Sequence, residues 1–105
     1  MPHDAMMIVR SDLASRIDGI AAASGQISLA ALCEQVDAIR SIARAHALDA
    51  VERLASLMES AIAYNGHGPV IMSYLDLMRD ATESEAQGPE ACTVYTAALS
   101  LRLGA

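Results

Sequence analysis

Apolar residues recur along this chain at alternating steps of three and four, and nowhere does strict polar–apolar alternation run long enough to suggest a strand. That spacing marks amphipathic helices. It predicts five of them. The first runs from about Asp4 to Ser24, with Met6, Val9, Leu13, Ile17 and Ile20 on one stripe. Gly25 ends it, because glycine enters the left-handed region without a Cβ penalty. Gly19, inside it, costs about 1 kcal/mol relative to alanine.

Ser28 is the expected N-cap of the second helix, with Ile27 and Leu32 placed as a hydrophobic staple around it. The stripe that follows is Leu29, Leu32, Val36, Ile39, Ala43 and His46. Asp49 to Glu52, "DAVE", has the capping-box pattern that would start a third helix. Leu48, Val51, Ala55, Met58 and Ile62 form its stripe, widened by Leu54, Leu57 and Ala61. "YNGHGP", Tyr64 to Pro69, is a break, and Pro69 fits the first turn of a fourth helix. That helix carries Ile71, Tyr74, Leu75 and Met78 and fades through "TESEAQ". "GPEA" repeats the Gly-Pro start, and the fifth helix presents Cys92, Tyr95 and Leu99, with Val94, Ala98 and Leu101 alongside. Short connections force neighbouring helices to run antiparallel. The expected fold is therefore all-α: an antiparallel up-and-down bundle of four long helices plus one additional helix, in a single domain over residues 1–105.

Composition adds an interface to this picture. The chain is 53% hydrophobic yet has three Tyr, no Phe and no Trp, so its core must be Leu, Ile, Val, Met and Ala. A chain of 105 residues has little interior in which to hide that much apolar surface. Self-association, most simply a two-fold homodimer, would cover the surplus. Leu57, Met58, Leu75 and Met78, on the broad stripes of helices three and four, are the expected contact residues, with Arg40 and Arg44 as charged ones.

The net charge is −6, and the seven basic residues are all arginine. Phosphate neutralisation needs a basic face, so nucleic acid is not an expected partner. No stretch has the length and apolarity of a membrane span or a secretory leader, and Cys33 and Cys92 stand apart from any CxxC pair. A membrane is therefore not an expected partner. The expected setting is a reducing cytoplasm.

Candidate chemistry is sparse. His46 falls at the last turn of the second helix, where an imidazole can bond orphan carbonyls and, when charged, meet the negative end of the helix dipole. Asp49, one turn on, would repel a phosphate there. His3, His46 and His67 are scattered, with no HxxxH, HExxH or ExxH, so neither a metal nor any other cofactor is expected. GxSxG and phosphate-loop patterns do not occur. Asp12 with Arg16, Asp37 with Arg40, Asp49 with Arg53 and Asp76 with Arg79 have the spacing of helix-surface ion pairs rather than of catalytic carboxylates. The reading is a protein without catalysis of its own, a protein-interaction or regulatory module.

One stretch goes further. "IRSIARAHALDAVERLASLMESA" resembles the second half of a histidine phosphotransfer (Hpt) domain, a small antiparallel helical bundle that relays phosphate in two-component signalling. "HALDAVERLASLME", His46 to Glu59, is similar to the family's second helix segment, and "SIARA" to the small-residue run before it. The resemblance covers about a third of the chain. The family's spacing puts the phosphoacceptor slot at Val36 and the lysine slot near Ile39, with Arg40 and Ser41 after it. Valine cannot carry phosphate. The resemblance thus implies a pseudo-Hpt module that keeps the bundle as a docking surface, with a kinase or response regulator as partner. The alternatives are an active phosphotransfer protein using His46 or His67, and a generic dimeric bundle with the same patterning.

Overall fold

In the computed structural model the described residues are 2–23, 25–65 and 70–104. They form five α-helices and no strand: α1 (Pro2–Ala22), α2 (Leu29–Ala45), α3 (Asp49–Asn65), α4 (Val70–Glu83) and α5 (Pro89–Arg102). Of the break expected at Tyr64 to Pro69, Tyr64 and Asn65 still belong to α3, and residues 66–69, His67 among them, lie outside the described residues.

Neighbour relations define the architecture. α1 borders α2 and α4, α2 borders α3, and α3 borders α4, which closes a ring of four helices. Among the described residues α5 touches α3 and α4 only, so it docks on the outside of that ring. The core follows the predicted stripes, except that Leu29 and His46, at the two ends of the α2 stripe, are exposed. Leu13, Ile17 and Ile20 come from α1, and Leu32, Val36, Ile39 and Ala43 from α2. Val51, Leu54, Ala55, Met58 and Ile62 come from α3, and Ile71, Tyr74, Leu75 and Met78 from α4. Each large aliphatic side chain buried in this way contributes about 1.5–3 kcal/mol. Thr82, the buried polar residue, donates its hydroxyl to the Met78 carbonyl at 2.7 Å, so its burial leaves no donor unpaired.

The helix ends explain where the chain turns. Ser28 caps α2 as expected, its Oγ accepting the Ala31 N–H at 3.1 Å. Gly25 takes φ +89°, the left-handed conformation expected of it, although α1 has already ended at Ala22. The α2–α3 corner differs from expectation. The Leu48 N–H reaches the Ala43 carbonyl at 2.9 Å, and the Ala47 N–H reaches Arg44 at 3.3 Å. This is a Schellman ending with Ala47 in the left-handed region at φ 57°. Leu48 then accepts the first bond of α3 from the Glu52 N–H at 3.0 Å, so Asp49 is already inside the helix and is not its cap. "DAVE" instead places two carboxylates, Asp49 and Glu52, in the first turn, where they complement the helix dipole. Alanine is an uncomfortable occupant of a left-handed position. Ala47→Gly is expected to raise stability by about 0.5–1 kcal/mol, read as a higher urea midpoint at unchanged slope.

Ion pairs tie the helices at their outer edges. Arg40 links α2 to Glu59 of α3 at 3.2 Å, Arg79 links α4 to Asp18 of α1 at 3.1 Å, and Arg102 links α5 to Asp76 of α4 at 3.6 Å. Of the local pairs expected from spacing, Asp12–Arg16 and Asp37–Arg40 form, at 3.0 and 2.7 Å. Asp49–Arg53 and Asp76–Arg79 do not: Arg79 pairs with Asp18 of α1 and with Glu83 one turn along α4, and Asp76 pairs with Arg102 of α5. Exposed pairs of this kind are worth about 0–1 kcal/mol each, so they orient the helices more than they hold them.

Candidate interaction surface

The residues expected to form a contact with another chain divide sharply. Met58 and Met78 are fully buried and Leu75 is 1% exposed, so all three belong to the core of the single chain. Their wide stripes have an internal reason: α3 is bordered by α2, α4 and α5, and α4 by α1, α3 and α5. A helix with three neighbours needs apolar residues around most of its circumference. Leu57 is half-buried and packs against the edge of the core. Arg40 is engaged with Asp37 and Glu59, and Arg44 is exposed, 4.0 Å from Glu52. The Arg40 guanidinium, hydrogen-bonded to Asp37, holds that carboxyl below its ordinary value.

The exposed apolar residues lie elsewhere. Leu29, Tyr64 and Met72 stand out singly from α2, α3 and α4, Met7 and Ile8 together from α1, and Val94 (64% exposed) and Leu101 (79%) from α5, with Leu103 just past its end. α5 is therefore apolar on two sides. Leu99, Cys92, Tyr95 and Ala98 face or edge the core, while Val94 and Leu101 face away from it. The sequence did carry this signal. A helix with apolar residues all round is either enclosed or unpartnered on one side, and the spacing of Val94 and Leu101 placed them together.

Between α4 and α5 runs a groove of about 460 Å³. Leu77, Ala91, Val94 and Ala98 supply its apolar lining, and Asp80 and Glu90 its charged edge. Tyr95 donates its hydroxyl to Asp80 Oδ2 at 2.9 Å, which fixes the carboxylate at the rim. Burial, then the bond to Asp80 and its charge, push the Tyr95 phenol above its ordinary value. The groove ends at a loop held by Gln87. Its Oε1 accepts the Ala50 N–H of α3 at 3.1 Å, and its Nε2 donates to the carbonyls of Ala81 at 2.8 Å and Ser84 at 3.1 Å. One side chain thus caps the start of α3 and the end of α4 together. Nothing in the local sequence flags Gln87, because the backbone it caps lies far away in the chain.

His46 is the C-cap of α2, but the contact is made by its backbone N–H to Ile42 and Ala43. Its imidazole is exposed and makes no hydrogen bond among the described residues, contrary to the expected carbonyl capping. Turning the chain left-handed at Ala47 brings the Ala47 amide to the Arg44 carbonyl and the Leu48 amide to the Ala43 carbonyl instead. Val36 and Ile39, the two slots implied by the phosphotransfer resemblance, are both fully buried. Among the described residues no three His, Cys, Asp or Glu side chains converge, and no helix is long and apolar enough to cross a membrane. No protein-family model, curated protein or solved structure matches the chain.

Proposed function

We propose that this chain is a non-catalytic protein-interaction module, in which the four-helix ring is the scaffold and α5 the presenting element. The observation that carries this reading is the exposure of Val94 and Leu101 on a helix already docked by its opposite side. Exposed apolar residues grouped on one element mark interaction surfaces more often than residues scattered singly. The pseudo-Hpt form of the reading keeps the bundle and omits the relay, with a kinase or response regulator as partner. A cytoplasmic setting suits it. Self-association as a homodimer would use Met7 and Ile8 on α1, since Met58, Leu75 and Met78 are enclosed.

A photocrosslinking residue placed at Leu101 in the native cell tests the module directly. A discrete adduct that is absent when the residue is placed at Ser41 is the expected result, and mass spectrometry then identifies the partner. Equal, diffuse labelling from both positions would overturn the reading. Light scattering at micromolar concentration decides self-association, which fails if only the monomer mass is found.

The exposure of the His46 imidazole favours a second reading, phosphotransfer. His46→Gln is expected to change stability by less than about 0.5 kcal/mol, the usual range for an exposed site. Acid-labile phosphate appearing on the protein with a histidine-kinase donor, and lost in His46→Gln, would establish the phosphotransfer reading in place of the first.

A further inference from the structure

We infer that the α4–α5 groove is a docking site for a basic amphipathic helix of a partner protein; the inference rests on the interaction-module reading and names the chemistry of the partner. The floor is shallow and apolar because Ala91 and Ala98 of α5 face Leu77 of α4, with Val94 as an exposed wall. From Glu90 to Ala98 the groove follows α5 for about 12 Å, at 1.5 Å per residue, enough for two turns of an incoming helix. Two apolar anchors one turn apart would fill it, the usual way a helix is read by a groove.

The charge of the occupant follows from the rim. Asp80 and Glu90 line the groove, and Glu85 stands in the loop at its end. None of the three meets an arginine among the described residues: the hydrogen-bond partner of Asp80 is the neutral Tyr95 hydroxyl, and the nearby Arg79 is held by Asp18 and Glu83. An apolar floor beneath unneutralised carboxylates selects a helix whose flanks carry lysine or arginine.

A second copy of this chain is poorly suited to that role. Its net charge is −6, and Arg16, Arg40, Arg44, Arg79 and Arg102 are each within 4.0 Å of a carboxylate of their own chain. Of its seven arginines only Arg10, whose Nε is buried, and Arg53 lack such a partner among the described residues, so a copy would bring mainly carboxylates toward carboxylates. Any dimer formed through α1 would leave the groove open.

The test uses the full chain and a designed peptide helix with leucines on one face and lysines beside them, followed by fluorescence anisotropy. A second peptide keeps the leucines and replaces each lysine by glutamate. The lysine peptide should bind and the glutamate peptide should not, with binding weakened by added salt. The double variant Glu85→Lys, Glu90→Lys, at two exposed sites, should weaken it about tenfold, as two lost ion pairs imply. Val94→Asp should abolish it, and far-UV circular dichroism shows whether each variant stays folded. Equal binding of both peptides, no binding of either, or no effect of Glu85→Lys, Glu90→Lys overturns the inference. Concentration-dependent dimerisation that Val94→Asp removes also overturns it, since the occupant is then a second copy. The in-cell crosslink separates the two levels: an adduct at Leu101 that survives Glu85→Lys, Glu90→Lys keeps the interaction module while removing the basic helix.

Discussion

Leu75→Glu is expected to abolish cooperative folding. From the sequence, Leu75 is a candidate for a subunit contact, where a glutamate would merely dissociate a dimer. The fold makes it a core residue, 1% exposed on α4. Replacing it forfeits the packing of a buried leucine, about 2–5 kcal/mol, and leaves an unpaired carboxylate whose burial costs several more. A domain of this size is stable by about 5–15 kcal/mol, so the two losses together consume most or all of it. Far-UV circular dichroism during thermal unfolding should show no cooperative transition near neutral pH. Burial would raise the folded-state pKa of the new carboxyl, so its penalty is relieved as the pH falls through that value. Partial recovery near pH 5, absent in Leu75→Gln, is the signature of the charge. Leu57→Glu is the contrast. Its side chain sits at the edge of the core, and the variant should remain folded with a lowered melting temperature. A folded, monomeric Leu75→Glu protein would show that the packing of α4 is misplaced.

Gln87→Ala should be the most damaging substitution outside the apolar core, at about 2–3 kcal/mol. The side chain accepts from the Ala50 N–H and donates to the Ala81 and Ser84 carbonyls. Ala50 is fully buried, so removing the acceptor leaves its amide without protein or solvent to replace it. For a chain of this length the loss corresponds to a fall in melting temperature of about 10–20 °C. Gln87→Glu isolates the donor half. The carboxylate can still accept from Ala50 but faces two carbonyl oxygens, so it should be no better than alanine at neutral pH. A Gln87→Ala protein that melts within a degree or two of the parent would show that the amide finds another partner.

The periodicity of the chain was sufficient for the class of fold. Val36, Ile39, Val51, Leu54, Met58 and Met78 are apolar at helical spacing and all are fully buried. Ser28 signalled a helix start through the local bond it makes, because a cap joins a side chain to an amide three residues on. Signals that reach one helical turn are legible in a sequence. The α2–α3 corner was less so: "DAVE" has capping chemistry, but the Schellman turn through Ala47 decided where α3 begins.

What the sequence by itself determined was which residues are apolar, which segments are helical and, by the shortness of the connections, that the helices pack as a bundle. What only the tertiary structure decided was which apolar residues face the interior and which face outward. Met58, Leu75 and Met78 went inward because α3 and α4 each have three neighbours, whereas Val94 and Leu101 stayed outside because α5 has only two. Arg79 left Asp76 for Asp18, and Gln87 found Ala50, for the same reason. Burial and long-range pairing are properties of the number and placement of neighbours, and helical spacing fixes the face of a helix without fixing what lies against it.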